Sequence, residues 1–253
     1  MLVKRRKVEG TMKIHVLFKK EEIDAAQMKD DKIAIVFDIL LATSTITACL
    51  EAGARQVIPV LDVAEAKVVA ERFNSIDICL AGEDRGLSIP GFMDPTPLYL
   101  KEKVSDKTVV LLTTNGTIAI RKSADAHHVY ISSLLNVPAV VEQVRKVHKN
   151  ETIVLVCSGS QNQFCFEDFY GAGYFVSEMA KQYGEIELDM SDHALAAMVL
   201  YESAATGTTE LMKQTRVGKM LTTYDYQEDL AYISQQGIST VIPKLINGTI
   251  IRT

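Results

Sequence analysis

No C-x-x-C pair occurs among the four cysteines, Cys49, Cys79, Cys157 and Cys165. The segments around Cys49, Cys79 and Cys157 are apolar, so buried, inert thiols are expected rather than metal ligands. No run of about 18 apolar residues occurs, which leaves nothing to span a membrane. The basic opening MLVKRRKVEG is followed by TMKIHVLFKKEEID and not by an apolar h-region, so it does not read as a secretory signal. Residues 1–12 read instead as a disordered or vector-derived leader, and a cytoplasmic protein is expected. Basic residues are not in excess: 27 Lys and Arg against 32 Asp and Glu leave a net charge of −5. That balance argues against a general nucleic-acid binder while leaving room for a local basic pocket. The patterns G-x-S-x-G, G-x-x-x-x-G-K-[ST] and G-x-G-x-x-G are also missing, so serine-hydrolase, P-loop and dinucleotide readings have no motif behind them. Internal repeats, low-complexity tracts and a dividing linker are absent as well.

What the chain does have is length and alternation. Its 253 residues, 47% hydrophobic and 23% charged, suffice for a substantial core without staples. Short β-rich runs occur at 13–18, 32–38, 56–61, 77–81, 108–113, 128–132 and 152–157. Between most of them lie segments with helical spacing: Val63, Ala66, Val69, Ala70 and Phe73 in one, and Val137, Val140, Val141, Val144 and Val147 in another. Asp62 and Asn136 precede these helices as expected N-caps. Near-continuously apolar strands alternating with helices indicate a mostly parallel or mixed sheet covered on both faces. Residues 166–235 read as several helices, and STVIP and GTIIR as two short strands near the end. One α/β domain over residues 13–253, with a helical C-terminal elaboration, is expected.

In such sheets ligands bind beyond the carboxyl ends of the strands, so the chemistry should lie at strand-to-helix junctions. Four stand out. The first runs from Asp38 to Thr43, Ser44 and Thr45, with LLA between and no basic residue to meet an anion. The second, AGEDRGLSIPGFMDPTP (81–97), carries Glu83, Asp84, Arg85 and Asp94. The third, LLTTNGTIAIRK (111–122), places Thr113, Thr114, Asn115, Gly116 and Thr117 between strand and helix. The fourth, CSGSQNQFCFEDFYGAG (157–173), ends in Glu167 and Asp168. The third is either an anion site, with free N–H groups, hydroxyl donors and close backbone approach at Gly116, or a simple N-cap with a turn glycine. Strand-TTNG is similar to the second motif of haloacid-dehalogenase-type phosphatases. That superfamily needs Asp-x-Asp, and Asp38 is followed by Ile39 and Leu40, so the assignment fails. Asp38, Glu83, Glu167 and Asp168 all fall at strand ends or in the loops beyond, a donor set suited to Mg²⁺ beside a phosphate. His127–His128 and His15 have no metal-ligand spacing, and His193 beside Asp192 reads as either a general acid or base or a structural helix-start residue.

FDILLATSTI, AGEDRG with IPGF, TTNGT and EDFYGAG, in this order and separation, resemble the 2-phosphosulfolactate phosphatase (ComB-like) family over most of residues 13–251. The resemblance implies a three-layer α/β/α fold and a Mg²⁺-dependent phosphohydrolase that converts 2-phosphosulfolactate to sulfolactate and phosphate, a step of coenzyme M synthesis in archaea. It implies Asp38 and Asp168 as catalytic residues. Asp38, Glu83, Glu167 and Asp168 would hold metal, and Thr43, Ser44, Arg85, Thr114, Asn115, Gly116 and Thr117 would bind substrate. The partner would be a small phosphate ester, with neither nucleic acid nor membrane involved, and a homodimer is compatible with these expectations. The chain departs from the family pattern at Leu41, where an arginine is usual, at GEDRGL, where the arginine stands at Arg85, and at DPTP (94–97), which lacks the usual asparagine.

Overall fold

The structure, a computed structural model, describes residues 11–29, 31–148, 150–183 and 188–253. The expected strands are present as β1 (Lys13–Leu17), β2 (Lys32–Phe37), β3 (Gln56–Val60), β4 (Ile78–Asp84), β6 (Thr108–Leu112), β7 (His128–Ile131) and β8 (Thr152–Cys157). Short additions are β5 (Leu87–Ser88) and β9 (Asp189–Met190), and the chain closes with β10 (Pro243–Ile246) and β11 (Thr249–Arg252). The first closing strand thus begins where STVIP ends. Asn247 and Gly248 both take positive φ between these last two strands, which is the requirement of a tight hairpin turn.

The helices are α1 (Ala42–Glu51), α2 (Val63–Ala70), α3 (Pro97–Lys101), α4 (Gly116–Lys122), α5 (Val137–Val147), α6 (Phe166–Tyr183), α7 (Asp192–Ser203), α8 (Thr208–Gln214), α9 (Arg216–Thr223) and α10 (Gln227–Ile233). Asp62 caps α2 as expected, accepting the Glu65 N–H at 2.7 Å. Asn136 holds the cap position of α5 but bonds elsewhere: it accepts the Ser133 N–H at 2.8 Å and donates to the Val241 carbonyl at 3.0 Å. It therefore ties the C-terminal segment to the α5 entrance. Among the described residues no helix is long and apolar enough to cross a membrane.

The eleven strands form one mixed sheet in the order β5-β4-β6-β3-β11-β10-β7-β2-β8-β1-β9. β2 shows why it is covered on both faces. Ile33, Ile35 and Phe37 join one apolar cluster with residues of α5, α6 and α7, while Ala34 and Val36 join another with residues of α1 and α4. Fully burying one such aliphatic side chain is worth about 1.5–3 kcal/mol. A third cluster seats Ala66 and Val69 of α2 on Val60, Val110 and Leu112. The result is a three-layer α/β/α arrangement with C-terminal helices. Of the leader expected over residues 1–12, residues 1–10 lie outside the described residues. Met12 belongs instead to the core, fully buried, with its carbonyl accepting the Asp189 N–H at 3.0 Å.

One topological feature positions the site. β10 runs antiparallel to β7 and to β11, and β11 runs antiparallel to β3. The parallel block β4-β6-β3 therefore runs opposite to the parallel block β7-β2-β8-β1. In a flat sheet the carboxyl ends of β2 and β6 would point apart. Five strand steps separate them, and a twist of about 20–25° per step turns one block by on the order of 100° against the other. The ends of β2 and β6 consequently meet, with α1 and α4 starting side by side.

Candidate active site

Asp38 stands at the exit of β2. Its backbone is fixed by Thr43, whose hydroxyl donates to the Asp38 carbonyl at 3.0 Å and accepts the Asp38 N–H at 3.2 Å. Its carboxylate accepts the Ala42 N–H and so takes over the capping of α1, whose cap position holds the apolar Leu41. Gly116 makes room for it, since a Cβ there would lie 2.6 Å from Asp38 Oδ2 and 2.4 Å from the Ala42 Cβ. The side chain is almost wholly buried. Burial first, then the Glu83 and Glu167 charges, push its pKa up to about 7, against the opposing pull of Lys20 and the Ala42 N–H.

Lys20 supplies the positive charge that the first junction lacks. It follows β1 in a short 3-10 turn and is only 6% exposed. Its Nζ donates to Asn115 Oδ1 at 2.9 Å and to the Ser158 carbonyl at 3.5 Å, and pairs with Glu21 at 3.2 Å. Sequence reading passes over it because KKEE has the composition of a solvated charged turn. Only the placement of β1 beside β8 carries this lysine to the β8 exit.

Behind Asp38 lie two further buried acids, Glu167 and Asp168. Asp168 accepts the Ile39 N–H at 2.9 Å and the Gly159 N–H at 3.0 Å, joining the exits of β2 and β8. Burial, followed by the charges of Asp38 and Glu167, holds its pKa well above the usual carboxylate range. Burial also raises Glu167, opposed by the Thr215 hydroxyl and the Arg216 charge. Glu83 is different. It accepts the Thr114 N–H at 2.7 Å, the Thr114 hydroxyl at 2.9 Å and the Gly86 N–H at 2.6 Å, so it clamps the β4 turn to the β6–α4 junction.

Several expected substrate contacts are placed otherwise. Thr43 and Ser44 are fully buried, and the Ser44 hydroxyl donates to the Ile39 carbonyl at 2.8 Å. Thr117 is buried too, its hydroxyl donating to the Thr113 carbonyl at 2.9 Å. These hydroxyls brace the starts of α1 and α4 and do not line the cavity, because a hydroxyl in the first helical turn finds a local carbonyl as readily as a ligand. Gly116 acts through the space it leaves. Arg85 lines the mouth, with a left-handed φ of 52°, a side chain 82% exposed, and its backbone N–H donated to Thr114 at 2.8 Å. His193 is not at the site: its Nδ1 lies 3.1 Å from the Val16 carbonyl and its ring 4.3 Å from that of Phe18.

Asp38, Glu83, Thr114, Asn115 and Arg85 do come together, lining a cavity of about 360 Å³. Ser160 and Gln161 of the fourth junction line it as well, and so does Arg216, which no motif spacing makes evident. Beside Lys20, Ser158 Oγ is the one buried side-chain oxygen among the described residues that lacks a hydrogen-bond partner. The site thus concentrates carboxylate charge against few cations, a donor set that fits a hard divalent ion. Among the described residues no three His, Cys, Asp or Glu side chains converge closely enough to hold a metal by themselves. An ion here would rest on one or two carboxylates, with water and substrate oxygens completing its shell.

A profile of the 2-phosphosulpholactate phosphatase family matches residues 17–248. A probable 2-phosphosulfolactate phosphatase of Clostridium perfringens is 37% identical over 243 residues, covering 94% of this chain and 96% of that protein. A protein of the same name from Caldanaerobacter subterraneus is 37% identical over 225 residues, covering 88% and 91%. Another from Clostridium beijerinckii is 31% identical over 241 residues, covering 94% and 99%.

Proposed function

Because the chain belongs to the 2-phosphosulfolactate phosphatase family, and is therefore a phosphoric monoester hydrolase, we propose that it hydrolyses 2-phosphosulfolactate with Mg²⁺ as cofactor. The observation that carries the reading is the family match falling on a chain whose buried Asp38 opens into a cavity beside Asn115 and Thr114. Water adds to phosphorus, the ester P–O bond breaks, and the leaving alcohol takes the proton that water gives up. The products are sulfolactate and phosphate. Cytoplasmic location and a place in sulfolactate metabolism, including coenzyme M synthesis, belong to the same proposal.

Asp38 is the carboxylate that meets the cation or the attacking water. A pKa near 7 suits it to accept a proton at neutral pH. Glu83, Glu167 and Asp168 are the surrounding acids, with Asp168 also fixing the backbone on either side of the floor. Asp38, with Glu83, Glu167 or Asp168, would hold a divalent ion, which would supply charge neutralisation and polarisation of the phosphoryl oxygens. Thr114 and Asn115 present polar groups to the phosphoryl group. Lys20 orients Asn115 and offsets the Asp38 charge, and Arg216 serves the anionic end of the substrate. Purified protein is expected to release phosphate from 2-phosphosulfolactate with Mg²⁺, to stop on chelation and to resume when Mg²⁺ is restored. Absence of turnover with the ion present would sink the proposal.

A further inference from the structure

The exits of β2 and β8 lie side by side. A hydrogen bond of 2.8 Å from the Ser158 N–H to the Phe37 carbonyl continues their ladder past its last pair, Phe37 and Cys157. Ser158 therefore stands level with Asp38. Alternation along the two strands sets the direction of both side chains. Phe37 and Cys157 enter the cluster under α5, α6 and α7, and Val36 and Val156 the cluster under α1 and α4. Asp38 and Ser158 come next on the α1–α4 side, where Asn115 opens α4. The polar groups around Ser158 are already engaged. Lys20 Nζ turns to Asn115, Glu21 and the Ser158 carbonyl, and Asp168 accepts the Ile39 and Gly159 N–H groups. The Ser158 hydroxyl has no partner, although the residue is fully buried. Such a hydroxyl has given up its hydration without replacement, an uncommon state in folded chains. Ser160, two residues on, lines the cavity, so the chain reaches the cavity wall just past Ser158.

We infer that Ser158 is a binding residue for the phosphoryl group: with phosphate on the Asp38–Asn115 floor, its hydroxyl turns about its one side-chain bond and donates to a phosphoryl oxygen. The inference rests on the phosphatase reading above and adds to it a residue that no strand-end acid or helix-start motif announces. Three features select this partner. An O–H needs an acceptor, and the Lys20 ammonium beside it can only donate. The same ammonium favours an anion at this place, and a phosphoryl group has several acceptor oxygens, so one can face Ser158 while another faces Asn115. A hydroxyl without a partner in the free protein exchanges no protein hydrogen bond for the new one, so the whole of that bond goes to binding.

The test is titration calorimetry of inorganic phosphate into the full chain with Mg²⁺ present, and of Mg²⁺ alone, for the parent protein and Ser158→Ala. Phosphate affinity is expected to fall by at least about tenfold in the variant, the size of one hydrogen bond to a charged group. Mg²⁺ affinity without phosphate is expected to stay unchanged. The ligand-free variant is expected to melt no lower than the parent, because the oxygen removed has no partner to lose. Unchanged phosphate affinity would show that the hydroxyl serves an internal water only, and overturns the inference. So does a variant that melts lower or fails to fold, one that loses affinity for Mg²⁺ alone, or a parent that binds no phosphate. Phosphate release from an ester is measured separately, so failure of the phosphatase reading is distinguished from failure of this one.

Discussion

At the scale of single residues, the site is governed by how Asp38 is kept buried with so little compensating charge. Its folded pKa of about 7 stands above the ordinary 3.8, so the folded chain holds a proton that the unfolded chain releases between those values. Stability is therefore fully present below about pH 4 and is lost as pH rises towards 7, by up to about 1.4 kcal/mol per pH unit and a few kcal/mol in all. Asp168 and Glu167 are shifted in the same direction and add to the loss. Chemical denaturation of chelator-treated protein across pH 4–8 is expected to show this slope. In Lys20→Met it should extend to higher pH, because a cation that lowers the Asp38 pKa is gone. A flat profile in both proteins would refute the electrostatic picture. At this scale the meeting of Asp38, Glu83, Thr114 and Asn115 on one cavity was legible in the sequence, since each stands at the carboxyl end of a strand or just beyond it. Thr43, Ser44 and Thr117 lie off the cavity wall because their hydroxyls satisfy local carbonyls, which the sequence does not announce. Lys20 and Arg216 were invisible because each reaches the site through tertiary placement alone.

At the scale of elements, two junctions must approach to within contact for the site to exist, and Gly116 is the point of contact. Its φ is unremarkable, so Ala would improve helix propensity there. The added Cβ would nevertheless overlap both Ala42 and Asp38, with no flexible side-chain end to give way. Gly116→Ala is expected to lower the melting temperature by several degrees and to reduce phosphatase activity together, as α1 and α4 separate. Loss of neither would show that the junctions have slack. The helix and strand assignments were readable because apolar spacing and Asp62 capping are local properties. The Asn136 cap was not, because its side-chain oxygen accepts the Ser133 N–H while its amide nitrogen donates to the Val241 carbonyl, more than a hundred residues later.

At the scale of the whole molecule, the C-terminal hairpin is central although it comes last. β10 and β11 lie in the middle of the sheet and join two parallel blocks of opposite direction. Deleting residues 243–253 should therefore abolish cooperative unfolding, where loss of an edge hairpin would only weaken it; circular dichroism on the truncated chain decides between them. Alternation in the sequence announced an α/β sheet but could not reveal the reversal, because the pairing of β11 with β3 spans almost two hundred residues. That reversal, with the twist of the sheet, is what brings the exits of β2 and β6 to one place. The central claim is that the carboxylate gathered there carries phosphate-ester hydrolysis, and the rate of phosphate release by Asp38→Asn at saturating Mg²⁺ tests it most directly. The folded variant is expected to fall by roughly 10²–10⁴-fold at neutral pH. A variant that keeps the wild-type rate would remove Asp38, and with it this site, from the chemistry.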